Sequence, residues 1–111
     1  MQVIKVQTNA KVSWRYMRDP NDDFIAVCDP LGLTVSGGTF EELLACVQDS
    51  LNLLMLDLLA RNELPRFLRE RGWTLITPAP TRQTRARDLR FDIPFSVTPE
   101  RERGAEAALR T

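Results

Sequence analysis

The chain has 111 residues, 43% apolar and 27% charged, and its 15 basic and 15 acidic side chains balance to zero net charge. This is the size and composition of one globular domain with a small core, and it excludes a disordered, charge-dominated chain. No stretch approaches the ~18 consecutive apolar residues of a membrane span, and histidine, the commonest general base and metal ligand, is absent.

The N-terminus, Met1-Gln2-Val3-Ile4-Lys5, lacks the basic-then-apolar pattern of a signal peptide. A cytoplasmic protein is expected, with Cys28 and Cys46 as reduced thiols rather than a disulfide. Weak alternation over residues 2–8 predicts a first strand. Val12, Trp14 and Tyr16 alternating with Lys11, Ser13 and Arg15 predict a second, with one apolar face. Arg18-Asp19-Pro20-Asn21-Asp22-Asp23 is dense in turn formers and should close a hairpin. Phe24 to Cys28 reads as a central strand. Asp29-Pro30-Leu31-Gly32 reads as a turn, and Leu33 to Ser36 as a further extended segment ended by Gly37-Gly38.

Thr39 with Glu42 three residues later is a capping-box signature, and Glu41 and Glu42 suit the positive end of a helix dipole. Leu43, Leu44, Val47, Leu51, Leu54, Met55 and Leu58 then recur at spacings of three and four, an apolar stripe over roughly twenty residues. Gln48, Asp49, Asn52 and Asp57 lie off the stripe. Leu53, Leu56 and Leu59 widen it, so the last turns are expected to be buried on more than one side, with a second subunit as one partner. Arg61-Asn62 can end this helix. Leu64-Pro65 starts a short one capped by Gly72, and residues 73–76 follow as an extended segment.

Residues 77–88 read as a Pro- and Arg-rich linker. Leu89, Phe91, Ile93, Phe95 and Val97 alternate, predicting one strand over residues 89–97, placed at an edge because Pro94 cannot donate to a ladder. Thr98-Pro99-Glu100 looks like a helix start, with a short C-terminal helix to Thr111. The expected domain is therefore an α+β core over residues 1–76, the linker, and residues 89–111 returning to the same domain. Its sheet would be three- or four-stranded, mainly antiparallel and covered by one long helix, in the order β-β-β-α-β.

The stretch from Asp23 to Leu43, with its extended apolar segment, Leu31-Gly32 turn, second extended segment, Gly37-Gly38 and Thr-x-x-Glu helix start, resembles the core of the HicB-like antitoxin family. The resemblance covers about residues 10–60. It implies a partial RNase H-like fold and a non-enzymatic role: neutralising a small RNA-cleaving toxin, often with binding to operator DNA. Family members usually carry a following helix-turn-helix or ribbon-helix-helix segment. Neither pattern is read in residues 77–111, where the strand at residues 89–97 leaves only fourteen residues after it.

The residues offer little chemistry. There is no Ser/His or Cys/His pair, phosphate-binding glycine loop or metal-spaced cysteine cluster. Asp29, Glu42 and Asp49 are the conceivable nuclease carboxylates, yet turn, cap and solvated-helix roles explain them better. No catalytic, metal or cofactor residue is assigned. Two binding surfaces are. Residues 1–60 hold eight acids against four bases, and Asp22, Asp23, Asp29 and Glu41 form a candidate acidic face for a basic toxin. Residues 61–90 hold eight arginines against three acids, and Arg82, Arg85, Arg87 and Arg90 form a candidate phosphate-binding segment. The expected assembly is a homodimer or higher oligomer. The alternative function is a stand-alone oligomeric regulator or scaffold that binds nucleic acid through the arginine segment and has no toxin.

Overall fold

The structure is a computed structural model, described here for residues 4–76 and 89–100. Its elements run β1 (Ile4–Gln7), β2 (Val12–Arg18), β3 (Phe24–Cys28), a single 3-10 turn (Asp29–Leu31), β4 (Leu33–Gly37), α1 (Phe40–Ala60), α2 (Leu64–Arg71), β5 (Leu89–Asp92) and β6 (Phe95–Pro99). The fold is α+β. Four strands hydrogen-bond in the order β4-β3-β2-β6, and β1 pairs with β5.

The four-stranded sheet is mainly antiparallel with one parallel edge pairing, and the separate β1–β5 pair is parallel. β3 is antiparallel to both β2 and β4, whereas β6 is parallel to β2 and β5 is parallel to β1. The long connection through α1 and α2 supplies the crossover that parallel pairing of the late strands with β1 and β2 requires. The single late strand expected over residues 89–97 is two strands, broken at Ile93 and Pro94. Pro94 lacks an N–H but still accepts a hydrogen bond from the Val12 amide at 3.2 Å. Thr98 and Pro99 belong to β6 and do not begin a helix; the Glu100 amide continues the ladder by donating to the Tyr16 carbonyl at 2.8 Å. β6 is an edge strand, which is where its proline is tolerated. The expected linker at residues 77–88 and the rest of the expected C-terminal helix, residues 101–111, lie outside the described residues.

The register explains how the two pairs of strands relate. Gln7 lies opposite Asp92 and Val12 opposite Phe95, so residues 8–11 on one side match only residues 93–94 on the other. The longer side therefore bulges, with Thr8 and Ala10 buried and Asn9 and Lys11 exposed. Extended residues 74–76 hold the bulge: the Asn9 amide donates to the Thr74 carbonyl, the Thr74 amide to Asn9 Oδ1 at 2.7 Å, and the Ile76 amide to the Gln7 carbonyl.

α1 forms where the capping signature placed it. Thr39 Oγ1 accepts from the Glu42 amide at 3.1 Å. The Glu42 carboxylate reaches back one residue further than in a regular capping box, accepting from the Gly38 amide at 3.4 Å. At the other end Asn62 adopts the left-handed φ of 60° that releases the chain toward α2, and Gly72 does the same after α2 with φ 69°. Leu43, Val47, Leu51 and Met55 are fully buried and Leu58 nearly so. Each such side chain contributes about 1.5–3 kcal/mol on removal from water. They pack on Val6, Val12, Trp14, Ala26, Cys28, Leu89, Phe91 and Ile93 from the strands.

The widened stripe divides differently from expectation. Leu56 and Leu59 are half-buried against the core, but Leu53 is 64% exposed. With 21 residues and a mean hydropathy of 1.5 in its most apolar window, α1 has the length and composition of a membrane span. One side of this helix builds the core of the α+β fold, and that accounts for the leucines on that side.

Gly37 sets how closely β4 can approach α1. A Cβ at this position would lie 2.7 Å from the Leu43 backbone nitrogen, a contact no side chain can relieve. Gly38 meets nothing closer than 3.7 Å. Of the paired glycines before the helix, the first is therefore required by space.

Candidate partner-binding surfaces

The β2–β3 hairpin is organised by Asp19, whose Oδ1 accepts from the amides of Asn21 and Asp23, both at 2.9 Å. This turn holds Asp22 at a left-handed φ of 70°, and Arg18 pairs with it at 3.1 Å. The Arg18 guanidinium also lies 4.5 Å from the centre of the Phe24 ring. Asp22 and Asp23 are exposed.

The start of α1 lies at this same end of the sheet, because Phe24 at the start of β3 pairs with Gly37 at the end of β4. Glu41 in the first turn is exposed there. Tyr16, Phe24 and Phe40 form a cluster of half-buried rings between the two loops, with centroids 5.1–6.1 Å apart. The result is a sheet end that combines the exposed carboxylates of Asp23 and Glu41 with half-buried rings, Arg18 already occupying Asp22 and the Phe24 ring. Both groups attract cations, the carboxylates by charge and the rings by their quadrupole.

Asp29 does not belong to this group. It follows β3, and the five residues of that strand put it roughly 17 Å from the hairpin. Its carboxylate accepts from Arg15 Nε at 3.2 Å and from a second guanidinium nitrogen at 3.3 Å. Arg15 also donates to Glu100. The two carboxylates raise the Arg15 pKa above its ordinary value, the Asp29 hydrogen bond contributing most. These pairs, the first exposed and the second part-buried, knit β2 to the β3–β4 turn and to the end of β6.

Of the four arginines expected to bind phosphate, Arg82, Arg85 and Arg87 lie outside the described residues. Arg90 is exposed on β5 directly opposite Lys5 on β1. Like charges in register on one sheet face repel, so this pair forms a small cationic spot at the point where the arginine-rich segment enters the fold. The sequence pattern did not expose it, because Lys5 and Arg90 are 85 residues apart and meet only through the parallel β1–β5 register.

Two further side chains were missed. Gln48 and Asn52, read from the helical pattern only as polar positions off the stripe, are half-buried and face β5. Gln48 Nε2 donates to the Phe91 carbonyl at 3.0 Å, and the Phe91 amide donates to Asn52 Oδ1 at 2.7 Å. Two side chains one helical turn apart thus stand in for a strand along the outer edge of β5.

The chemistry of the remaining candidates is limited. Cys28 and Cys46 are free thiols, and burial pushes the Cys28 pKa up, which keeps it protonated and weakly nucleophilic. Among the described residues no three Asp, Glu, Cys or His side chains gather closely enough to hold a metal ion, and Asp29, Glu42 and Asp49 do not converge. Protein-family models, curated proteins and solved structures were all compared with the chain, and none matches it.

Proposed function

We propose that this protein is a non-enzymatic, antitoxin-like binding module that docks a small basic, RNA-cleaving protein on the acidic and aromatic end of its sheet. The observation that carries the reading is the convergence of Asp22, Asp23 and Glu41 beside Tyr16, Phe24 and Phe40 at one sheet end. A protein that holds RNA presents a basic surface, and complementary charge speeds encounter and selects partners. The partly covered rings add apolar area and cation–π contact, the combination found at interface hot spots. Self-association into a dimer or higher oligomer, and control of its own operon, belong to the same proposal.

Co-expression with the small open reading frame adjoining the gene tests it. The expected result is a stable co-purifying complex with a small basic protein. A neighbour that is not basic, or that does not bind, ends the antitoxin reading.

The facing cations Lys5 and Arg90 favour a second reading, a regulator that binds nucleic acid without a toxin. Replacing Arg82, Arg85, Arg87 and Arg90 by alanine should then abolish retardation of upstream DNA in a low-salt gel shift, since such contacts act through phosphate charge. Unchanged retardation excludes that segment.

A further inference from the structure

A cavity of about 290 Å³ lies at the sheet end opposite the acidic hairpin, lined by Lys11, Ser13, Pro30, Leu31, Arg71 and Trp73 above the buried Val12 and Cys28. Its origin is a mismatch in strand length. Along β2 the backbone groups alternate in direction. The Val12 amide and the Tyr16 carbonyl bond toward β6, so those of Ser13, Arg15 and Met17 face β3. Arg15 and Met17 meet Val27 and Ile25 there. Continuing the register would pair Ser13 with Asp29, but Asp29 has already entered the 3-10 turn and the ladder stops at Arg15 and Val27. The N–H and C=O of Ser13 are left facing the gap, with no backbone partner among the described residues.

The charge around this open strand position has one sign. None of the lining residues is acidic. Lys11 and Arg71 form no ion pair among the described residues, whereas Asp29, the acid next to the cavity in sequence, is engaged by Arg15. Arg71 is held in place by stacking 3.7 Å from the Phe67 ring centre and by a hydrogen bond to the Phe67 carbonyl. Trp73 is fixed against the same ring at 5.8 Å. Pro30, Leu31 and Trp73 give the cavity an apolar wall.

We infer that this cavity binds the carboxyl end of an extended peptide. One residue of the peptide pairs with the Ser13 backbone in place of the missing strand position. Its terminal carboxylate lies between Lys11 and Arg71, and its last side chain rests on the Leu31 and Trp73 wall. Strand addition supplies the main-chain bonds and the cations supply the end recognition. This inference does not rest on the proposed function, since it uses the opposite end of the sheet.

The test is a titration of the full chain, followed by amide and indole NMR shifts, with N-acetyl-Leu-Leu as the free acid, its C-terminal amide, and sodium acetate. The free acid should move the Ser13 amide and Trp73 indole signals. The amide should bind at least tenfold more weakly, and so should acetate. Lys11→Gln, exposed and outside any ion pair among the described residues, should weaken the free acid several-fold with the melting temperature unchanged, and adding Arg71→Gln should bring the loss to at least tenfold with amide shifts away from the cavity unchanged. Absence of shifts at Ser13 and Trp73 would overturn the inference, as would equal binding of acid and amide. Acetate binding as tightly as the peptide would overturn it too, by making the site one for free carboxylate.

Discussion

Leu51→Ala should lower the unfolding free energy by about 2–5 kcal/mol, the cost of emptying a filled core position. Leu51 is fully buried at the middle of α1, between Val47 and Met55 on the side that meets the strands. A domain of this size has a total stability of only about 5–15 kcal/mol, so this one truncation removes a large fraction of it. Leu53→Ala, two residues away on the 64% exposed side, should change stability by no more than about 0.5 kcal/mol. Urea unfolding midpoints of the two variants check the pair. Equal losses would mean that α1 does not sit on the sheet by its Leu51 side.

Asn52→Ala should cost about 1–3 kcal/mol, more than a polar position on a helix surface would suggest. The Phe91 amide it serves lies on β5 within the core, and removing one partner of a part-buried hydrogen bond leaves the other to bear its desolvation. Gln48→Ala removes the bond to the Phe91 carbonyl from the same strand residue. The two losses act on a single peptide edge, so the double variant should differ from their sum. Asp49→Ala, exposed between them, is the control and should be close to neutral. Thermal unfolding reads all four proteins, and amide exchange at Phe91 should speed up in the two that carry Asn52→Ala and not in Gln48→Ala or Asp49→Ala.

These two experiments touch what the sequence made visible and what it hid. α1 was legible because its signals are local: a threonine cap, a glutamate three residues on, and leucines at helical spacing all act within one or two turns. The β2–β3 hairpin was legible for the same reason, through the aspartates and proline of its turn. The late strands were not. Alternation over Leu89 to Val97 has one period, and nothing in it distinguishes a single antiparallel strand from two parallel ones broken at Pro94. That outcome depends on pairing with β1 and β2, more than eighty residues away.

The candidate surfaces divide in the same way. Asp22, Asp23 and Glu41 end up at one sheet end because the β3–β4 register closes the distance between them. Asp29, near them in sequence, is separated by the length of β3 and is bound to Arg15. The roles of Gln48, Asn52, Lys5 and the Ser13 backbone each depend on a partner distant in the chain, so no local pattern announces them.

Affinity for the basic partner, compared between two charge-reversed forms, is the most direct measure of the central claim. Asp22→Lys, Asp23→Lys and Glu41→Lys combined should weaken binding at least tenfold, about 1.4 kcal/mol, and more steeply at low salt. Asp29→Lys, at the far end of β3, should leave affinity within about twofold. Equal losses from the two forms, or a loss confined to Asp29→Lys, would contradict docking on the hairpin end.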